Sequence, residues 1–200
     1  MSRWPGAAAR LAGRRVVLEP LAEEHAGELF VAARDPRIWE WLDPDASPSP
    51  AAFGAWFGAA ADAARRGDEV PFAVRDRRSG AVVGSTRYLA LCPEHHRLEI
   101  GWTWYTPAVW GTGVNVECKL LLFGHAFERL GCTRVELKTD ARNERSRAAM
   151  LALGATFEGV FRKHMHQRYG VRDTAWYSVV DEEWPAVRAR LEERLRSHGI

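Results

Sequence analysis

The sequence has few cysteines, almost no surplus of charge and no long apolar run, and each shortage removes a class of protein. Cys92, Cys118 and Cys132 are its only cysteines. An odd number with no C-x-x-C spacing gives no disulfide framework and suits unpaired thiols in a reducing, cytoplasmic setting. Twenty-eight Lys plus Arg against 26 Asp plus Glu leave a net charge of +2. Nucleic-acid binders carry a concentrated basic footprint, so no nucleic-acid partner is expected. The opening MSRWPGAAARLAGRR lacks the apolar stretch of a secretory signal, and no later stretch could span a bilayer, so no membrane association is expected. Internal repeats, low-complexity segments and linkers are also missing.

What is present is an ordinary globular composition, 46% hydrophobic and 27% charged over 200 residues, with nine tryptophans scattered along the chain. That predicts one domain with a real core. Residues 1–10 read as a loose tail and 11–200 as the domain. RRVVLEPL reads as a strand, followed by helical spacing up to RDPR. After the loop LDPDASPSP, Ser49 and Pro50 start a second helix whose stripe is Phe53, Trp56/Phe57, Ala60 and Ala64, closed by Gly67. The period then becomes alternating in VPFAVRD, AVVGSTRYLAL and HRLEIGWTWYT, three strands. A helix follows with Val116, Leu120, Phe123, Phe127 and Leu130 on one face. TRVELKTDA is a strand and NERSRAAMLALGA a helix. TFEGVFRKHM and DTAWYSVVDE are strands, and Trp184, Val187, Leu191 and Leu195 mark a last helix. The order β α α β β β α β α β β α predicts a single α/β (α+β) domain: a mostly antiparallel mixed sheet flanked by helices, with one strand–helix–strand crossover.

The segment WGTGVN, residues 110–115, stands where the third of those strands gives way to a helix. A helix N-terminus offers unpaired N–H donors and the positive end of the dipole, which suits a phosphate, and Gly111 and Gly113 would let one approach without Cβ interference. A Walker A loop is excluded, because no lysine follows until Lys119. A dinucleotide fingerprint is excluded too, because Val116 stands where the third glycine belongs. A glycine-rich turn without a ligand is the bland alternative.

The surroundings decide between them. Strand, Pro107, WGTGVN, a long helix, a strand and then NERSRAAMLALGATFEG resemble the GNAT superfamily of N-acetyltransferases, most closely the RimJ/RimL branch that acetylates protein N-termini. The family signature is Gln/Arg-x-x-Gly-x-Gly/Ala at this junction, then Asn-x-x-Ser/Ala and a later Gly-Phe/Ala. Gly113 falls on the first pattern, and Asn143, Ser146, Gly154 and Ala155 on the second. Trp110 replaces the Gln/Arg, as is familiar in that branch, and Asn115 the small last residue. The motifs cover residues 98–157, and the element order matches almost the whole chain. The resemblance implies acetyl-CoA as co-substrate, with backbone N–H groups of Gly111, Thr112, Gly113, Val114 and Asn115 around the pyrophosphate. It also implies an open strand edge at Thr103, Trp104 and Tyr105 pairing with the pantetheine arm, and Asn143 and Ser146 meeting the arm or thioester from the other side.

Acyl transfer to an amine needs a neutral amine, a polarised carbonyl and a proton for the thiolate. In HRLEIGWTW the apolar set is Leu98, Ile100, Trp102 and Trp104, so Glu99 faces the other way with Gly101 and Thr103. Glu99 is the candidate general base; the alternative is an ion pair with Arg97 or Arg87. Ser146, the serine of the Asn-x-x-Ser element, is one candidate proton donor to the thiolate, unless it only satisfies local backbone. Tyr177 is another, unless it is core. His164 and His166 share a strand face, but no third ligand can be placed, so no metal is expected. No nucleophile sits beside a base and an orienting group, so transfer is expected to be direct. The acceptor is expected to be a primary amine, a protein N-terminus or a small amine, because an α-amine with pKa ≈ 7.7–8.0 is partly neutral at pH 7 whereas a lysine at ≈ 10.4 is not. LDPDASPSP and CPEHH could touch it. Rival readings are a non-catalytic acyl-CoA-binding module, and an acyltransferase for succinyl-CoA with Arg97, Arg87 or Arg162 on the extra carboxylate. The long tryptophan-bearing last helix and the branch resemblance point to a homodimer.

Overall fold

A computed structural model describes residues 4–200. Its strands are β1 (Leu11–Ala12), β2 (Val16–Pro20), β3 (Val70–Asp76), β4 (Val82–Cys92), β5 (Arg97–Tyr105), β6 (Arg134–Asp140), β7 (Thr156–Gln167) and β8 (Gly170–Val180). Its helices are α1 (Ala26–Ala32), α2 (Pro50–Arg66), α3 (Val114–Gly124), α4 (Glu144–Leu153) and α5 (Trp184–Ser197). All the elements expected from the sequence are there, with the two-residue β1 in addition. The eight strands form one sheet in the order β1-β2-β3-β4-β5-β6-β8-β7. Every neighbouring pair is antiparallel except β5 and β6, so the sheet is mixed and α3 makes the one parallel crossover.

The helices start and stop where the chain supplies the chemistry. Ser49 accepts a hydrogen bond from the Ala52 N–H at 3.1 Å, Pro50 takes the first helical position, and Gly67 ends α2 at φ +76°. Its buried stripe is Phe53, Trp56, Ala60 and Ala63, which with α1 covers one sheet face, where Ala73, Val82 and Trp104 join the cluster. The other face carries Leu18, Phe72, Ile100, Val135 and Tyr177 beneath α3 and α5. Trp184 of α5 packs there against Phe123 and Phe127, with ring centroids 6.1 and 5.6 Å away. Burial of aromatic rings of this size dominates core energetics. Helix α3 is enclosed on almost every side: Glu117 and Lys119 are 3% and 4% exposed. Glu117 accepts from the backbone N–H groups of Arg14, Arg15 and Val16 at 2.7–2.9 Å, tying β2 to the helix.

Of the tail expected over residues 1–10, residues 1–3 lie outside the described residues. The rest is anchored at two points: Trp4 and Ala7 are 8% and 0% exposed and belong to the main core, whereas Pro5, Gly6, Ala8 and Arg10 are exposed.

Two departures from a regular sheet open the site. In the β4–β5 ladder Arg87 pairs with Gly101 and Ser85 with Trp104, so Trp102 and Thr103 together face Thr86. The bulge puts Trp102 at φ +50°, in the region that costs a bulky side chain strain. It also reverses the alternation. Leu98 and Ile100 lie under α3, whereas Trp102 and Trp104 pack with α2 on the opposite face. The expected uniform set Leu98, Ile100, Trp102 and Trp104 is therefore split, because one extra residue flips every later side chain. In addition β5 and β6 pair only at Arg97↔Arg134, Leu98↔Val135 and Glu99↔Glu136. From Ile100 onward the two strands part.

Candidate active site

A cavity of about 680 Å³ occupies the parting of β5 and β6. One end is bounded by the turn before α3. Gly111 and Gly113 stand at φ +73° and +87°, where glycine has no steric penalty. A Cβ on Gly111 would meet no atom within 4 Å, while one on Gly113 would lie 2.7 Å from Ile200 Cδ1 and 3.1 Å from His198 Cβ. Ligand access is therefore on the Gly111 side; the flank of Gly113 is filled by residues that follow α5. The turn is held from behind by Arg15, whose Nη1 donates to the Thr112 carbonyl at 2.8 Å. The first N–H groups of α3 have no partner inside the helix. Asn115 turns its side chain to accept from the Tyr105 hydroxyl at 3.2 Å, and Trp110 Nε1 donates to the Tyr105 carbonyl at 2.8 Å. Arg145 lies 4.5 Å over the Trp110 ring, and Arg194 brings a buried Nη1 with no hydrogen-bond partner to the same wall. An anion fits this end: free N–H donors, an open glycine and two guanidinium groups converge on it.

The middle of the cavity is the free edge of β5. Thr103, Trp104 and Tyr105 line it, with Asn143 and Ser146 opposite. Asn143 accepts from the Ser146 N–H at 3.0 Å and so caps α4; the serine hydroxyl is left for the cavity. Lys119 approaches from α3. Its Nζ donates to Thr103 Oγ1 at 2.9 Å, and Thr103 and Thr86 share a 2.7 Å hydroxyl hydrogen bond. Burial pulls the Lys119 pKa down to about 8.

At the other end lies Glu99, 2% exposed and on the cavity wall. Its Oε2 accepts from Lys138 Nζ at 2.7 Å, and Lys138 sits 5.1 Å over the Trp176 ring. Burial raises the Glu99 pKa, with the Lys138 charge and hydrogen bond opposing it. The expected pairing with Arg97 or Arg87 does not form. Arg97 reaches Glu136 at 3.5 Å, and Arg87 donates to Glu69 at 2.8 Å while lying 4.7 Å over Trp102. Neither they nor Arg162 line the cavity. Leu42 and Asp43 of the loop LDPDASPSP do, with Trp41 just before it, whereas no residue of CPEHH does.

The structure thus brings Glu99, Thr103, Trp104, Tyr105, Gly111, Thr112, Gly113, Asn115, Asn143 and Ser146 to one cavity. Val114 is fully buried and belongs to the core. Tyr177 is not in the cavity: it is 0% exposed, packs on Phe157 at 5.3 Å, and its hydroxyl accepts from Arg147 Nε at 3.1 Å. It is a core residue. Sequence reasoning missed Lys119, Lys138 and Arg172. A lysine inside the apolar run VNVECKLLLF was a readable signal for the first; the other two depend on which strands become neighbours. Among the described residues no group of three or more His, Cys, Asp or Glu is arranged to hold a metal, and no helix is long and apolar enough to cross a membrane.

No curated protein matches the chain. A GCN5-related N-acetyltransferase from Brucella melitensis superposes with a TM-score of 0.88 at 33% identity, over 93% of this chain and 85% of that one. A structure from T. thermophilus assigned as an acetyltransferase gives 0.85 at 40% identity, over 98% and 100%. Mycobacterium smegmatis RimJ, solved in complex with CoA-disulfide, gives 0.81 at 20% identity over 98% of both chains, which speaks for the fold alone. The model of the acetyltransferase (GNAT) domain matches residues 15–156, most of the chain and all of the glycine turn. With that match added to the split sheet and its turn, the chain belongs to the GNAT family, enzymes that move an acetyl group from acetyl-CoA to an amine.

Proposed function

We propose that this enzyme transfers acetyl directly from acetyl-CoA to a neutral primary amine, with Glu99 as general base. Backbone N–H groups from Gly111 to Asn115 hold the pyrophosphate, the free edge of β5 from Thr103 to Tyr105 pairs with the pantetheine arm, and Asn143 and Ser146 close on it from α4. The amine nitrogen attacks the thioester carbonyl, Glu99 takes its proton directly or through one water, and coenzyme A leaves as a thiolate for which the Ser146 hydroxyl is the candidate donor. The observation that carries this reading is the position of Glu99: a buried carboxylate where β5 and β6 part, in the same cavity as the glycine turn. A module that only bound acyl-CoA would have no need of it there.

The acceptor is an α-amine, of a protein N-terminus or a small molecule, rather than a lysine side chain. Lys138 and Arg172 both line the end of the cavity that holds Glu99, and two cations disfavour an incoming ammonium. An amine that is already partly neutral is the easier acceptor. The RimJ/RimL branch is supported by the Trp110 turn and the Asn143/Ser146 element. Two further expectations belong to the same reading. A cytoplasmic setting suits three unpaired cysteines. A homodimer would use the exposed Phe157 and Phe161 of edge strand β7 rather than Trp184, which is buried within the chain; a monomeric mass by light scattering would remove it.

Glu99→Gln should lower turnover by about 10²–10⁴-fold with acetyl-CoA affinity unchanged by calorimetry. Near-full turnover would make Glu99 structural. In competition, a peptide with a free N-terminus should be acetylated ahead of the same peptide N-blocked with an internal lysine; the reverse order would overturn the acceptor assignment.

A further inference from the structure

The acceptor end of the cavity holds a cation for which the chemistry above has no use. Arg172, on β8 opposite Met165 of β7, lines the cavity and is only 9% exposed. A buried guanidinium is costly without an anion beside it. Two acids that feel its charge, Glu99 and Asp140, are both engaged elsewhere. Glu99 accepts from Lys138 at 2.7 Å, and Asp140 accepts from Arg142 at 2.9 Å. The hydroxyl of Tyr169, which donates to the Trp41 carbonyl at 3.5 Å, is near enough to Arg172 to feel its charge, and Arg172 Nε is buried with no hydrogen-bond partner. Tyr169 is itself fixed, edge-on to Trp41 at 5.8 Å and under Arg142 at 5.7 Å. The guanidinium therefore lines the cavity with a donor to spare. Glu99 is spent on Lys138, and among the described residues Arg172 makes no ion pair.

We infer that Arg172 is the seat of a carboxylate brought in by a substrate, and that the acceptor is an amine bearing a carboxylate a few bonds from its nitrogen. The inference rests on the acetyl-transfer reading and narrows its acceptor. A planar fork of N–H donors matches a carboxylate in two-point contact. With the carboxylate on Arg172, the amine of the same molecule is directed toward Glu99, and the buried guanidinium gains the anion it lacks. A free amino acid, or a peptide with an acidic residue at its start, has this chemistry. The same contact could instead take the far carboxylate of a dicarboxylic acyl group, so the test separates the two sources.

In the first arm, amines are compared in pairs that differ only in carboxylate against carboxamide, with acetyl-CoA as donor and thiol release as readout. The wild type should favour the carboxylate member by about 10- to 100-fold in kcat/KM, the scale of one charged hydrogen-bonded contact. Arg172→Gln should erase that preference and leave the KM for acetyl-CoA unchanged. Arg172→Lys should keep part of it. In the second arm, succinyl-CoA is compared with butyryl-CoA against a carboxamide acceptor, and an Arg172-dependent preference there would assign the carboxylate to the acyl donor. A third readout needs no turnover. N-acetylglycine and its amide are titrated into the CoA-bound protein by calorimetry, where the wild type should bind the acid more tightly and Arg172→Gln should not. Transfer that never distinguishes the pairs, together with equal binding of acid and amide, overturns the carboxylate site while leaving acetyl transfer intact. Absence of any transfer beside intact, Arg172-dependent binding would fault the transfer reading and not the site.

Discussion

Lys119→Met should make this protein more stable and its co-substrate binding worse. Lys119 is 4% exposed, and its ammonium has a hydroxyl for its partner rather than a carboxylate. Burial lowers its pKa from 10.5 to about 8, a gap of about 2.5 pH units that at 1.36 kcal/mol each amounts to about 3 kcal/mol. The sign follows from proton binding: between pH 8 and 10.5 the unfolded chain holds the proton more tightly, so stability rises with pH across that window and the full penalty is present at pH 7 and below. Methionine fills a similar volume without a charge. It leaves Thr103 without its donor, a loss of about 1 kcal/mol, so the net gain at pH 7 is about 2 kcal/mol. For a domain of this size that is roughly 4–8 °C in Tm. The assay is urea unfolding of both proteins at matched pH from 6 to 10, with the wild type closing on the variant above pH 8 and cysteine titration cancelling in the difference. Lys119 lines the cavity, and of its three ammonium donors one goes to Thr103. Acetyl-CoA affinity should therefore fall about 10- to 100-fold, the loss of one charged hydrogen bond. A variant less stable than wild type at pH 7, with an unchanged urea slope, would refute the desolvation argument.

Three further outcomes follow from named contacts. Lys138→Met removes the main opposition to the burial of Glu99, so the carboxyl pKa rises further and the acid limb of kcat/KM, where activity is lost as pH falls, moves to higher pH; an unmoved limb would mean that Glu99 is not the group titrating. Tyr177→Phe removes a hydroxyl that serves Arg147, so turnover should hold while urea unfolding registers a loss of about 1 kcal/mol; a collapse in turnover would restore Tyr177 as an acid. Gly113→Ala forces a Cβ to within 2.7 Å of Ile200 at a φ of +87°, which should cost about 1–3 kcal/mol and weaken acetyl-CoA binding; a variant as stable as wild type would show that this packing gives way freely.

The fold was legible because its signals are local. Ser49-Pro50 and Gly67, Asn143 and Gly154, and the change from helical to alternating period each mark a boundary within a few residues of sequence. The turn and the Asn143/Ser146 element were legible as well, being contiguous motifs. Glu99 was singled out from its place in mid-strand, yet its partner was missed: Lys138 reaches it only because β5 and β6 become parallel neighbours, a long-range fact that neither strand announces. The bulge at Trp102 was unreadable for a related reason. Alternation in IGWTWY looks unbroken, and the extra residue is revealed only by the register of β4 opposite. Tyr177 was misjudged because a tyrosine that bonds to a buried arginine and one that faces a ligand look alike in sequence.

The three-residue pairing of β5 with β6 has a mechanical consequence. Five strands on one side and three on the other are joined by a seam that ends at Glu99, so the sheet is two panels hinged along a short line, and slow breathing of the protein should concentrate there. Backbone amides of β5 beyond Glu99 that have no strand partner should exchange with solvent far sooner than those of β3 or β8. A molecule lying along the gap would stitch the panels together and slow that exchange, so hydrogen-exchange rates would report occupancy of the seam without any reaction taking place.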